Sequence, residues 1–335
     1  MKKLFIFFAF IISFFIAKTQ SSEADQLHET GKTFMLQGDF SNATLVLNRA
    51  IQKDPGNIEI SKDLAFNYYL QKDFSKALEI IKPLFDREDA DDQCFQIGGN
   101  IYKALRQPKE GEKIYKKGLK RFPLSGALYN EYGELLFATQ DASAIKQWEK
   151  GIESDPGYSG NYYNACKYYY LNGDKIWGII NGEIFLNIEV LTARTAEIKN
   201  IMLDSYKKLF ADAGVSENTK GKNNFEQAFL QTLYKQNSLS ASGISPATLT
   251  MIRTRFILDW FNSFSTKFPF RLFEYHQQLL REGMFDAYNQ WIFGAAQNLV
   301  AYQDWSASHL DEYNEFLRFQ KGRIFKMQAQ QYYHK

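Results

Sequence analysis

Cysteine is nearly missing from this chain: two in 335 residues, Cys94 and Cys166. A framework of disulfides is therefore excluded, and stability has to come from an apolar core. Histidine is as scarce. The four, at 28, 276, 309 and 334, are scattered, with no H-E-x-x-H and no Cys/His cluster of metal-ligand spacing. No G-x-S-x-G elbow occurs, and no phosphate loop, since Gly98-Gly99 and Gly111 are not followed by Lys-Ser/Thr. The acidic run Asp86-Arg87-Glu88-Asp89-Ala90-Asp91-Asp92 lacks the ligand spacing of a calcium loop and reads as a solvated boundary. The expectation is no catalytic set, no cofactor and no metal.

Long apolar runs are also wanting. Leu4 to Ala17, behind Lys2 and Lys3, is apolar apart from Ser13. It falls short of the roughly 20 residues of a membrane span. It reads as the core of a signal peptide over residues 1–19, cut after Thr19. No Cys follows it, which excludes a lipoprotein anchor. Lysine and arginine number 40 against 38 acidic residues, and removal of Lys2, Lys3 and Lys18 leaves the remainder near neutral. Such a balance steers the chain neither to nucleic acid nor to an anionic membrane. The expected location is periplasmic or secreted, with no integral span once the leader is gone.

What the chain does hold is a period. In Ala24–Asn57, Leu27, Gly31, Phe34 and Leu36 share one helical face. Leu45, Leu47, Ala50 and Ile51 form another after a break at Gly38-Asp39. Pro55 stops the second helix. The pattern returns at Ile58–Asp91, at Asp92–Ser125 and at Gly126–Tyr158. The last is one residue short, with the deficit placed at Gln140-Asp141-Ala142. It begins again at Ser159, with Tyr162, Tyr169 and Gly173-Asp174. Several units in register make a helical array, because about three are needed to bury a continuous core.

These residues resemble the tetratricopeptide repeat, written W-x2-L-G-x2-Y, A-x3-F, P. Here it reads Leu27-x2-Thr30-Gly31-x2-Phe34, Ala43-x3-Leu47, Pro55. The overall character is similar to exported tetratricopeptide-repeat proteins of Bacteroidota. The resemblance implies an all-α fold: a superhelical array of about five repeats over 24–190, followed by a helical domain over 191–335. It also implies an interaction scaffold rather than an enzyme, with a protein or peptide partner on the concave face. By repeat register that face carries Lys32 and Met35, Lys62, Phe66 and Tyr69, and Gln96, Asn100 and Lys103. It continues through Asn130, Glu134 and Phe137 to Tyr163, Lys167 and Tyr170. Aromatics mixed with amides and charges suit an extended or helical peptide. Capture of a terminal carboxylate is not implied, because Phe66, Ile97, Ala127 and Glu131 stand where the clamp of chaperone-tail members resembles Lys, Asn and Arg.

The C-terminal half departs in composition. Helices are expected over Thr192–Ala213, Phe225–Gln236, from Ser245-Pro246, from Pro269, from Phe285 and from Leu310. Val215–Asn224 and Asn237–Gly243 read as loops. Aromatic density here reads as core. The competing reading is an enzyme or carbohydrate-binding site, with Arg255, Asp259, Arg271, Glu274, Arg281, Glu282 and Asp286 as its polar groups and Arg255–Asp259 as an i,i+4 pair. Glu183, inside apolar Ile176–Leu186, is expected to pair with Arg194 or another arginine of this half. Cys94 and Cys166, a whole repeat or more apart, are expected to be free and packed. Mass spectrometry of the protein recovered from its cell envelope should show Gln20 as the first residue; an intact Met1 there overturns the cleavage.

Overall fold

The computed structural model describes residues 22–211 and 221–334, and these are helical without strands. The expected signal peptide, residues 212–220, which take in most of the polar linker, and the last residue lie outside them. Five helix pairs come first: α1 Glu23–Leu36 with α2 Phe40–Lys53, α3 Ile58–Leu70 with α4 Phe74–Ile81, and α5 Asp92–Ala104 with α6 Pro108–Arg121. They are followed by α7 Gly126–Ala138 with α8 Ala144–Ser154, and by α9 Ser159–Leu171 with α10 Lys175–Ile188. A 3-10 turn, Lys82–Asp86, extends α4. By its internal contacts the chain divides into two compact units, one ending at Lys117 and the other beginning at Gly118.

One turn closes all five pairs. Gly38, Lys72, Arg106, Gln140 and Gly173 take positive φ, between 58° and 81°. The next residue folds its N–H back across the helix end: Asp39 to Phe34, Asp73 to Tyr68, Gln107 to Tyr102, Asp141 to Leu136 and Asp174 to Tyr169, each at 2.9 Å. That is the Schellman closure. Asp39, Asp73 and Asp174 then cap the following helix through the amides of Asn42, Lys76 and Trp177. Only two of the five left-handed residues are glycine, so Lys72, Arg106 and Gln140 carry a steric cost there. The one-residue deficit of the fourth pair falls between Gln140 and Pro156, where Asp141–Ser143 precede α8.

In the first unit the core runs through Ala24, Leu47, Ala50, Ile60 and Leu64, with Leu27, Met35, Ile51 and Tyr68 packed on it. Leu36 and Leu45, expected on the same faces, are exposed. Leu45 stands two residues from buried Leu47 and so on the opposite side of α2, while Leu36 ends α1. The acidic run is not simply solvated. Asp91 caps α5 through the Cys94 amide, Arg87 holds Asp89 at 2.7 Å, and Asp86 accepts from Lys117 at 2.6 Å. Cys94 and Cys166 are both buried and free. Burial pushes the Cys94 thiol up to about 12 and the Cys166 thiol upward as well.

The second unit continues past the pairs. α11 Ala193–Ala211 begins one 34-residue period after α9, so the spacing runs a helix further than the sequence pattern shows. Then come α12 Asn224–Tyr234, α13 Pro246–Ser263 and α14 Arg271–Arg281, and after them α15 Phe285–Asn289 and α16 Ala295–Gln297 on either side of a π turn at Gln290–Gly294. The chain closes with α17 Leu299–Ser308 and α18 Leu310–Lys321. Asn237–Ser242, expected to be loose, is a 3-10 helix, and Leu299–Ser308 breaks from the helix before it at Asn298, whose side chain caps the new one. Ser245 caps α13 with Pro246 in its first turn, as its sequence indicates. The core here is aromatic: Phe225 meets Trp260 at 5.5 Å, Phe229 meets Phe256 at 5.1 Å, and Trp260 meets Phe273 at 4.9 Å. Among the described residues no helix is long and apolar enough to cross a membrane.

The close crossing of α5 and α6 depends on Gly99. A Cβ there would stand 2.2 Å from the ring of Tyr115, which is fully buried and cannot step aside. Gly99→Ala should therefore cost about 1–3 kcal/mol of stability. Gly56→Ala, whose Cβ meets nothing closer than 3.7 Å, should stay within about 0.5 kcal/mol. Denaturant titration of the two variants checks the contrast.

Candidate functional site

In the first unit α3 and α5 lie side by side, each the first helix of its pair. Between them is a hollow of about 190 Å³ lined by Phe66, Tyr69, Gln93, Gln96, Ile97 and Asn100. Phe66 is 37% exposed and stacks on Tyr69 at 6.1 Å between ring centres. Tyr69 is backed in turn by Phe74 at 5.7 Å. Asn100 receives the hydroxyl of buried Tyr115 on its Oδ1 at 2.8 Å. Its Nδ2 hydrogens are thereby the groups it offers to a ligand carbonyl. The walls bear no net charge: two rings, one aliphatic side chain and three amides.

Lys62 does not reach this surface. It is 2% exposed, and its ammonium bonds to Glu59 at 2.9 Å and to Asp91 of the next pair. Burial would lower its pKa, but the two carboxylates outweigh burial and raise it. A buried lysine held this way ties neighbouring pairs together, leaving nothing for a partner to meet. Lys32 is half-buried and bonded to Glu29 at 2.5 Å, and Lys103 is half-buried.

In the second unit the register residues meet other parts of the chain. Asn130 is buried, bonded to Glu134 at 3.2 Å and to Asn164 at 2.8 Å. Phe137 is 49% exposed, with its ring 5.8 Å from that of Trp148. Tyr163 donates to Glu197 at 2.5 Å, Lys167 pairs with Glu197 at 2.8 Å, and Tyr170 donates to Asp204 at 2.8 Å. Both carboxylates belong to α11, which packs where a sixth first helix would stand and takes up these three side chains. The expected side chains thus divide. Phe66, Tyr69 and Asn100 line an open hollow, whereas Tyr163, Lys167 and Tyr170 serve packing.

The polar groups of the competing site do not converge. Asp259 accepts from Gln236 at 2.9 Å, in place of the expected Arg255 pair. Arg271 pairs with Glu274 at 3.6 Å, Arg281 bonds to Gln277, Glu282 accepts from Gln278, and Asp286 accepts from Thr250. Cavities lined by residues of α10, α13 and α14 measure 10 to 20 Å³, room for about one water. The buried ionic centre is elsewhere. Glu183 pairs with Arg253 and accepts from Tyr288 at 2.8 Å, with His276 Nε2 at 2.9 Å. Arg194, the first expected partner, goes to Glu189. Glu183, Arg253, His276 and Tyr288 are all buried and bonded to one another, the arrangement of a structural network.

Burial would raise the Glu183 carboxyl, but the Arg253 charge, with hydrogen bonds from His276 and Tyr288, overcomes it and brings it down to about 2. Burial lowers His276 below its ordinary 6.5 and keeps it neutral. In the unfolded chain these groups titrate near 4.5 and 6.5. Stability of this unit should therefore fall as pH drops below about 6.5, where the unfolded chain protonates His276. It should fall again between about 4.5 and 2, where the unfolded chain protonates Glu183 while the folded unit still holds it charged. Glu183→Gln, which strands Arg253, should cost about 3–5 kcal/mol at neutral pH and remove the second acid step. Thermal melts from pH 8 to 2 on both proteins check the sign.

Residues 34–96 match the tetratricopeptide repeat family model. No curated protein sequence matches the chain significantly. Among solved structures, TTC0263, a thermophilic tetratricopeptide-repeat protein of Thermus thermophilus, is similar over 55% of this chain and 98% of its own, at 14% identity and a TM-score of 0.46. MamA 41-end of Desulfovibrio magneticus RS-1 is similar over 50% and 96%, at 12% identity and a TM-score of 0.41. YrrB, described as a tetratricopeptide-repeat protein with an unusual peptide-binding site, is similar over 50% and 87%, at 15% and 0.36. At such identities and scores no role passes from them to this chain. The family match and the five like-built helix pairs together support a tetratricopeptide-repeat protein.

Proposed function

We propose that this protein is an exported scaffold that binds a peptide or protein partner, with the hollow between α3 and α5 as its anchor point. The observation that carries the reading is the exposed Phe66–Tyr69 stack beside an amide-lined floor. Exposed, stacked aromatics supply a large contact area that is already ordered, so binding loses little side-chain freedom. The uncharged walls favour an extended segment that inserts an apolar or aromatic side chain and places a backbone carbonyl at Asn100. Buried Lys62 is fully engaged by Glu59 and Asp91, so an acidic anchor finds no free cation there. The basic start and short apolar run of the chain support export to the periplasm or beyond.

Affinity capture with the mature protein, run beside a Phe66→Ala/Tyr69→Ala variant, tests this. Both rings are partly exposed, so the variant should keep its helicity and melting temperature. A partner retained by the parent should bind the variant at least tenfold more weakly, about 1.4 kcal/mol. Equal retention of the same partner moves the binding surface away from the hollow.

A further inference from the structure

The residues that end the chain carry a second site. Residues 322–334 leave α18 and run back over the second unit, burying Phe325, Met327 and Gln331. Gln331 accepts from the Arg271 amide at 2.7 Å, and the carbonyl of Tyr333 accepts from Asn223 at 2.8 Å. These contacts carry His334 to the start of α10 and of α12. There, one atom each of His334, Asp174 and Glu226 lie within 4.8 Å of one another.

We propose that Asp174, Glu226 and His334 form a binding site for a divalent transition metal of zinc-like character, which clasps the end of the chain to α10 and α12. Three observations carry it. Imidazole with two carboxylates is a donor set that suits zinc and its neighbours over calcium or magnesium. The Nδ1 of His334 is 2.7 Å from Glu149. A carboxylate behind one ring nitrogen orients the ring and leaves Nε2 as the ligand atom, the arrangement found behind zinc-bound histidines. Finally, a positive charge already sits between the carboxylates: Lys222 Nζ is 3.5 Å from Asp174 Oδ2 and 3.4 Å from Glu226 Oε1. Both distances are long for an ion pair, and Lys222 is part-exposed on a flexible stem, so it can swing out when a metal enters.

Both carboxylates are held in place. Asp174 Oδ1 caps α10 at the Trp177 amide, 3.2 Å away. Glu226 accepts the Trp177 indole N–H at 2.8 Å on Oε1 and the Asn223 amide at 2.8 Å on Oε2. Donor atoms on one tetrahedral zinc stand roughly 3.3 Å apart, so closure asks for at most about 1.5 Å.

The test is zinc titration of the full chain against a chromophoric chelator, on the parent, His334→Ala and Lys222→Gln. His334→Ala alters the penultimate residue, and an unchanged melting temperature verifies its fold. The parent should take up a single tight equivalent. His334→Ala should lose at least tenfold in affinity, and Lys222→Gln, freed of the competing ammonium, should bind several-fold tighter. Amide exchange at residues 332–334 should slow when zinc is added to the parent. Equal zinc affinity in the parent and His334→Ala, or zinc uptake with no slowing at 332–334, overturns the proposal, as does failure of the parent to bind zinc at all.

Discussion

A single backbone constraint recurs along this chain: one residue in the left-handed region between paired helices, followed by a residue whose amide closes the first helix. The closure is a local, hydrogen-bonded event. Because the following aspartate often caps the next helix, one dipeptide both ends a helix and starts its partner. The helices that result are short, 8 to 14 residues in the first five pairs, and too short to persist alone in water. Their order comes from packing within the pair and on the next one. That packing relies on small residues at the crossings: Gly31 under Leu47, Gly99 under Tyr115, Gly133 under Trp148.

Charge is placed where pairs meet. In the first unit Lys62 spans from its own helix to Asp91, the residue that caps the next. In the second unit Glu183 on α10 gathers Arg253, His276 and Tyr288 from α13, α14 and α15. Fully buried ion pairs gain little over apolar packing, but removal of one partner is costly. Such pairs act as register pins: the helices dock where both charges are met, or the unit loses more than the pair is worth.

The same economy separates side chains left open from side chains used in packing. A first-helix side chain is available to a partner only if the following helix leaves it uncovered. Phe66 and Tyr69 remain uncovered and ordered, since each ring rests on another. Lys167 and Tyr170 hold the equivalent positions, yet Glu197 and Asp204 of α11 occupy them. Position in the repeat therefore sets where a side chain points, and the next helix decides whether it can be used.

From the sequence alone came the helix pairs, the turns at Gly38-Asp39 and Gly173-Asp174, the stop at Pro55, the cap at Ser245 and the free, packed cysteines. All of these follow from local chemistry or from a 34-residue period. Composition and the leader-like start pointed to export, and the repeat register named Phe66, Tyr69 and Asn100. Tertiary structure decided what depends on distant partners. It showed that Lys62 is buried, that Glu183 meets Arg253 and not Arg194, and that α11 extends the helix spacing. The reason is physical. A turn or a cap is settled by neighbours within five residues, whose identities are written side by side. Burial, ion pairing and the meeting of Asp174, Glu226 and His334 depend on which helices lie together, which no local pattern records.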